Sequence, residues 1–130
     1  MGRTKFVLDK ALINTKRYIE LPTSSQALYI QLNSEADDNG IVDLDNLKEL
    51  IRDDTILVSI CSINSEVGIK QPIEEIAKIV KKHPKCFFHS DVTQSIGKEK
   101  VDFTNIDLAS FSGQKFFGMK GIGCLIKKES

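Results

Sequence analysis

From residue 41 onward the apolar positions follow two alternating periods. Leu44, Leu47, Leu50 and Ile51 recur at helical spacing, and Asp43 stands where it can cap a helix running to about Ile51. Residues 55 to 61, Thr-Ile-Leu-Val-Ser-Ile-Cys, are almost continuously apolar and β-branched. A strand of that kind is usually buried on both faces, as in a parallel sheet. Ile73, Ile76, Ala77 and Val80 then make a second helical stripe, with Pro72 suited to the first helical position. Glu74 and Glu75 lie in its first turn, and Lys78, Lys81 and Lys82 lie toward its end, so both sets complement the helix dipole. His83-Pro84 stops it. The pattern goes on to predict a strand at Cys86–His89 ending in Ser90-Asp91, a short helix around Thr93 to Ile96, and a strand at Asp107–Phe111. A turn at Gly118–Gly121 leads to a last strand, Gly123–Lys127.

The first 40 residues carry a weaker pattern. Val7 to Tyr18 reads as a helix, Pro22–Ser25 as a loop, Ala27–Leu32 as a strand and Glu35–Gly40 as an acidic turn. Strands alternating with helices predict an α/β fold: a mostly parallel sheet with flanking helices. No linker, repeat or low-complexity run divides the chain, so 1–130 is expected to be a single domain.

Charge removes some function classes. Lys+Arg and Asp+Glu are 18 each, a balance that gives no support for nucleic acid or an anionic membrane as partner. No apolar run approaches the roughly 20 residues of a membrane helix. The start of the chain lacks the apolar centre of a secretory signal, so a cytoplasmic location is the default expectation. Cys61, Cys86 and Cys124 are odd in number and widely spaced, with no CxxC pair to suggest zinc. Each lies in a strand-like run, so all three are expected to be buried free thiols.

In open α/β sheets ligands bind at the carboxyl ends of the strands. Here those ends carry Asn64-Ser65-Glu66, then Asp91 with Gln94, then Ser112-Gly113-Gln114-Lys115. Pyridoxal phosphate (PLP) requires such a set. A lysine holds it covalently, a carboxylate keeps its pyridine nitrogen protonated, and hydroxyl and backbone N–H groups hold its phosphate. Each residue also has a plainer reading. Lys115 can be a solvated loop lysine and Asp91 a turn former, while Asn64 and Gln94 can satisfy backbone groups.

The motifs add weight. Asn-Gly-Ile-Val-Asp-Leu (39–44), Asp-Asp-Thr-Ile-Leu-Val-Ser-Ile (53–60), Ile-Asn-Ser-Glu-Val-Gly-Ile-Lys-Gln-Pro-Ile (63–73), His-Ser-Asp-Val-Thr-Gln-Ser-Ile-Gly-Lys (89–98) and Ser-Phe-Ser-Gly-Gln-Lys-Phe-Phe-Gly-Met-Lys-Gly-Ile-Gly (110–123) occur in that order. Together they resemble the cysteine desulfurases of the nitrogen-fixation and iron–sulfur-cluster type, in the class V aminotransferase group. The resemblance implies part of the large PLP-binding domain of a fold type I enzyme. It places Lys115 on the Schiff-base lysine, Asp91 on the pyridinium partner and Gln94 on the contact to the phenolic oxygen. Ser112 falls on a phosphate ligand, and Asn64 on a residue near the cofactor and substrate carboxylate. It further implies L-cysteine as substrate, a sulfur-acceptor protein and a homodimer in the intact enzyme.

The chain departs from the family's pattern in places. Gln114 stands where histidine usually precedes the lysine, keeping a hydrogen-bond donor toward the phosphate without a titrating ring. Met119 replaces a usual proline. The family's upstream phosphate loop and stacking histidine, its downstream cysteine loop and its small domain have no counterpart here, so this chain alone is expected not to turn over. His83 and His89 read as structural. The competing readings are another class V enzyme, such as a selenocysteine lyase or an aminotransferase, and a non-catalytic structural piece. A nucleotide-binding domain is disfavoured, because Gly118-Met119-Lys120-Gly121-Ile122-Gly123 leads into a strand rather than a helix.

Overall fold

The computed structural model describes residues 40–129. The helix, loop, strand and acidic turn expected before residue 40 lie outside the described residues. Helix α1 is Leu44–Leu50, and α2 is Ile73–Val80. The strands are β1 (Leu57–Cys61), β2 (Phe87–Asp91), β3 (Leu108–Ser112) and β4 (Gly123–Lys127), and a 3-10 turn spans Gly113–Phe116.

Local chemistry sets the helix ends. The Asp43 carboxylate accepts from the Asp45 and Asn46 N–H groups at 2.8 and 3.1 Å, which satisfies donors that the first turn leaves open. Pro72 is the residue before α2 rather than its first helical residue; its ψ of 68° is not helical and leaves it just outside the helix. The expected short helix at Thr93–Ile96 is a run of turns instead. Asp91 and Gly97 frame that segment, and the positive φ of Gly97 (75°) is incompatible with a continuing helix.

Strand order in the sheet is β1-β2-β3-β4. The first three strands are parallel and β4 is antiparallel to β3. The α/β expectation with a mostly parallel sheet therefore holds. Alternation gives the sheet two chemically distinct faces. Val58, Ile60, Phe88 and Ala109 join Leu47, Ile51, Ile76, Ala77, Ile79 and Val80 in one buried cluster, so both helices cover the same face.

The opposite face carries a polar row. His89 lies between Ser59 and Ser110, with Nδ1 2.6 Å from the Ser59 hydroxyl and Nε2 2.9 Å from the Ser110 hydroxyl. One side chain thus links three strands. Burial pulls the His89 pKa below its ordinary value, and the charge of Asp91 opposes that only in part.

The three cysteines do not share one environment. Cys86 is buried as expected, but Cys61 and Cys124 are exposed. Cys61 occupies the last residue of β1, and Cys124 lies in β4, whose five residues are all exposed. An apolar run in sequence marks a strand, but it does not say whether that strand's outer side is covered.

Two outcomes follow from the packing. Phe88 is fully buried at the centre of the cluster. Phe88→Ala should cost about 3–5 kcal/mol of stability, and a urea midpoint unchanged from the parent would contradict this core. Because the folded pKa of His89 is depressed, the folded chain takes up that proton later than the unfolded chain as pH falls. Its contribution is pH-independent above the ordinary histidine value and is lost as pH drops below it. Urea midpoints at pH 7.5 and 5.5 should therefore fall more for the parent than for His89→Gln; equal slopes would refute the depressed value.

Candidate functional site

Parallel pairing aligns the carboxyl ends of β1, β2 and β3 along one edge. Two backbone bonds pin that edge: Ser62 N–H donates to the Asp91 carbonyl at 2.8 Å, and Val92 N–H donates to the Ser110 carbonyl at 2.9 Å. In the ladder Cys61 stands beside Asp91, and Asp91 beside Ser110. The edge where sequence reasoning looked for chemistry is thus a continuous feature of the fold.

Asp91 closes β2 with its side chain exposed. Its carboxylate accepts the Thr93 N–H at 2.9 Å, and the Thr93 hydroxyl accepts the Ser112 N–H at 3.2 Å. This short chain of bonds ties the end of β2 to the end of β3. Thr93 therefore joins the candidate residues Asp91 and Ser112. Nothing in the sequence singles it out, because a loop threonine reveals its partner only after β2 and β3 are paired.

Lys115 stands in the 3-10 turn that leaves β3. The turn is closed twice at its base. Gly113 N–H donates to the Ile122 carbonyl at 2.8 Å, and Gly118 N–H donates to the Gly113 carbonyl at 2.9 Å. A Cβ on Gly118 would meet the Gly113 carbonyl oxygen at 2.8 Å, so the close approach requires glycine there. The Phe111 and Phe116 rings lie 5.7 Å apart at 60°, which anchors the turn on the helix-covered face. Lys115 and Gln114 are both exposed, and among the described residues the Lys115 amine makes no ion pair or hydrogen bond.

The amides are more committed. The Gln94 Oε1 accepts from the Lys98 amine at 3.3 Å, which leaves its NH2 group to other partners. Asn64 serves its own loop: its Oδ1 accepts from the Glu66 and Val67 N–H groups at 2.9 and 3.2 Å. The plainer reading of Asn64, that it satisfies backbone, describes its oxygen correctly. The structure thus links Asp91, Ser112 and the base of Lys115, while Asn64 stands on a separate turn after β1.

Two thiols, Cys61 at this edge and Cys86 at the opposite end of β2, have raised pKa values. Cys61 is exposed as a residue, but its sulfur is partly enclosed and donates to the Ile63 carbonyl at 2.8 Å. That enclosure, and then the charge of Asp91, push its pKa upward. Burial does the same for Cys86. A thiol held protonated attacks slowly. A separate cavity of about 300 Å³, lined in part by Lys70, Gln71, Glu99 and Asp102, includes none of the six candidate residues. Lys70 and Glu99 pair there at 2.8 Å, whereas Glu74, Glu75 and Lys100 make no ion pair among the described residues.

The donor set at the strand ends fits PLP. Among the described residues, it combines an exposed carboxylate that accepts one backbone N–H, an exposed amine without a partner, and a half-buried serine hydroxyl. Those are the groups that a pyridinium, a carbonyl carbon and a phosphate would engage.

Comparison with known proteins identifies the family. The family model described as aminotransferase class-V matches residues 26–130. A mitosomal cysteine desulfurase of Trachipleistophora hominis is 42% identical over 124 residues, covering 94% of this chain and 27% of that protein. The cysteine desulfurase IscS of Rickettsia felis is 52% identical over 89 residues, covering 67% of this chain and 22% of that protein. Among solved structures, a NifS-like protein superposes with a TM-score of 0.70 at 41% identity, covering 73% of this chain and 27% of that one. SspA in complex with cysteine gives a TM-score of 0.66 at 38% identity, covering 70% and 26%. The chain thus spans about a quarter of the length of the relatives it matches. Its ordered motifs, its mostly parallel sheet and the match over residues 26–130 place this chain in the class V aminotransferase family.

Proposed function

We propose that this chain is an incomplete cofactor-binding domain of a PLP-dependent cysteine desulfurase, and that its strand-end residues seat the cofactor. The observation that carries this reading is the bonded edge from Asp91 through Thr93 to Ser112, which runs directly into the turn bearing Lys115. The relatives named cysteine desulfurase and the structure holding cysteine support the choice of amino acid substrate.

When bound, PLP supplies an electron sink that draws charge from the α-carbon of an amino acid. The chain's residues take roles set by their positions. Asp91 holds a proton on the ring nitrogen. The Lys115 amine would hold the cofactor covalently and is the group available to move the substrate's α-proton. Gln94 would donate its NH2 to the phenolic oxygen. Ser112 donates its hydroxyl to the phosphate, with Gln114 as a second donor. Asn64 serves the substrate carboxylate through its amide nitrogen, since its oxygen already accepts two N–H groups.

Sulfur transfer requires an accessible thiol that ionises readily; the raised pKa values of Cys61 and Cys86 suit neither for that work, and Cys124 pairs with Phe111 and so points to the face of the sheet opposite Asp91 and Ser112. In the intact enzyme a cysteine outside these strands takes the sulfur from L-cysteine as a persulfide, releasing alanine. A homodimer and a protein sulfur acceptor complete the proposal.

Two measurements test it. Titration of the chain with PLP should produce a visible absorption band that is absent in Lys115→Ala and weakened in Asp91→Ala; a band that survives Lys115→Ala would show adventitious binding. With L-cysteine and PLP, the chain alone should release no sulfide or alanine above a protein-free control. Clear turnover would overturn the view that the sulfur-carrying thiol lies outside these strands.

A further inference from the structure

The polar row on the open face of the sheet lies one pleat deeper than the candidate site. Ser59, His89 and Ser110 each stand two residues before Cys61, Asp91 and Ser112 on their strands. Residues two apart on a strand share a face, so His89 and Asp91 point to the same side of β2. Ser110 is the residue that stands directly beside Asp91 in the parallel register.

Strand β2 and the residue that follows it grip Ser110 at two points that flank Asp91. Val92 N–H donates to the Ser110 carbonyl at 2.9 Å, and His89 Nε2 lies 2.9 Å from the Ser110 hydroxyl. The Ser59 hydroxyl, 2.6 Å from Nδ1, braces the ring from the other strand. The imidazole cannot rotate without breaking one of these contacts. It therefore ties β2 to both neighbours one pleat below the carboxylate and directs the hydroxyl of Ser110, the residue paired with Asp91.

The charge state matters as much as the geometry. A ring flanked by two hydroxyls is satisfied as a neutral imidazole, donating to one and accepting from the other. Burial favours that form. A cation at His89 would compete with the cofactor's ring for the negative charge of Asp91, whereas a neutral ring does not.

We propose that His89, clamped between Ser59 and Ser110, is the positioning residue for Asp91, setting where the carboxylate stands and leaving its charge to the ring nitrogen of PLP. This inference rests on the cofactor reading above. It extends the structural role that the sequence assigned to His89.

The test is PLP titration of the 130-residue chain, following the Lys115-dependent visible band, with urea midpoints measured in parallel. The variants are His89→Gln, His89→Asn, Ser110→Ala and Ser59→Ala. Glutamine can place its amide near the Nε2 position and keep the Ser110 contact, whereas asparagine reaches only toward Ser59. His89→Gln should bind PLP within about twofold of the parent, because the contact to Ser110 survives. His89→Asn and Ser110→Ala should bind about tenfold more weakly, with a shifted band, as expected when a supporting shell around a functional group is lost. Ser59→Ala should fall between them. Affinity and band position unchanged in all variants, or losses that follow the urea midpoints rather than the Ser110 contact, would overturn the positioning role alone. A parent chain with no Lys115-dependent band would overturn the cofactor reading and this inference with it.

Discussion

Everything at the candidate site depends on the parallel register of β1, β2 and β3. Side chains from residues 61, 91 and 110 come together only because Cys61 pairs with Asp91 and Asp91 with Ser110. Period-two alternation makes this constraint strict. A slip of one residue in β2 would turn Asp91 into the helix-covered core and bring Ser90 out in its place. The apolar face prevents that slip, because Phe88 would then leave the cluster formed with Val58, Ile76 and Val80. Core packing on one side of the sheet therefore decides which face the carboxylate takes, and the row beneath it holds it there.

Much of this was legible in the sequence, for identifiable reasons. Helix α2 announces itself through Ile76, Ala77 and Val80 at helical spacing and through its matched terminal charges. Strand β4 was bounded by glycine on one side and ran to Lys127 as the pattern indicated. The parallel pairing followed from strands alternating with helices. Burial was less legible. The run Gly123-Cys124-Leu125 is as apolar as Cys86-Phe87-Phe88, yet Cys124 is exposed and Cys86 is buried. Coverage depends on which layer lies against a strand, and local composition does not carry that information.

The same limit applies to polar residues. Ser59, His89 and Ser110 lie 30 and 21 residues apart along the chain, and each looks unremarkable alone. Only the pleat and the register bring them into one row. The resemblance in sequence pointed to Asp91 and Lys115. The structure adds what stands beneath and between them: the Thr93 hydroxyl linking two strand ends, and the imidazole bracing three strands. Membership of the class V family, the mostly parallel sheet and the bonded strand-end edge come from different observations and describe the same corner of the molecule.

The antiparallel pairing of β3 with β4 has a consequence for the order of assembly. These two strands and the turn carrying Lys115 form a local hairpin, whereas β1 meets β2 only across the crossover through α2. Closing a hairpin takes on the order of 1–10 μs, and contacts between distant stretches of chain form more slowly. The pedestal for the amine can therefore be complete while the parallel strands are still finding each other. The amine's turn thus rests on contacts close in sequence, and the carboxylate reaches it only through the longer-range pairing of β2 with β3.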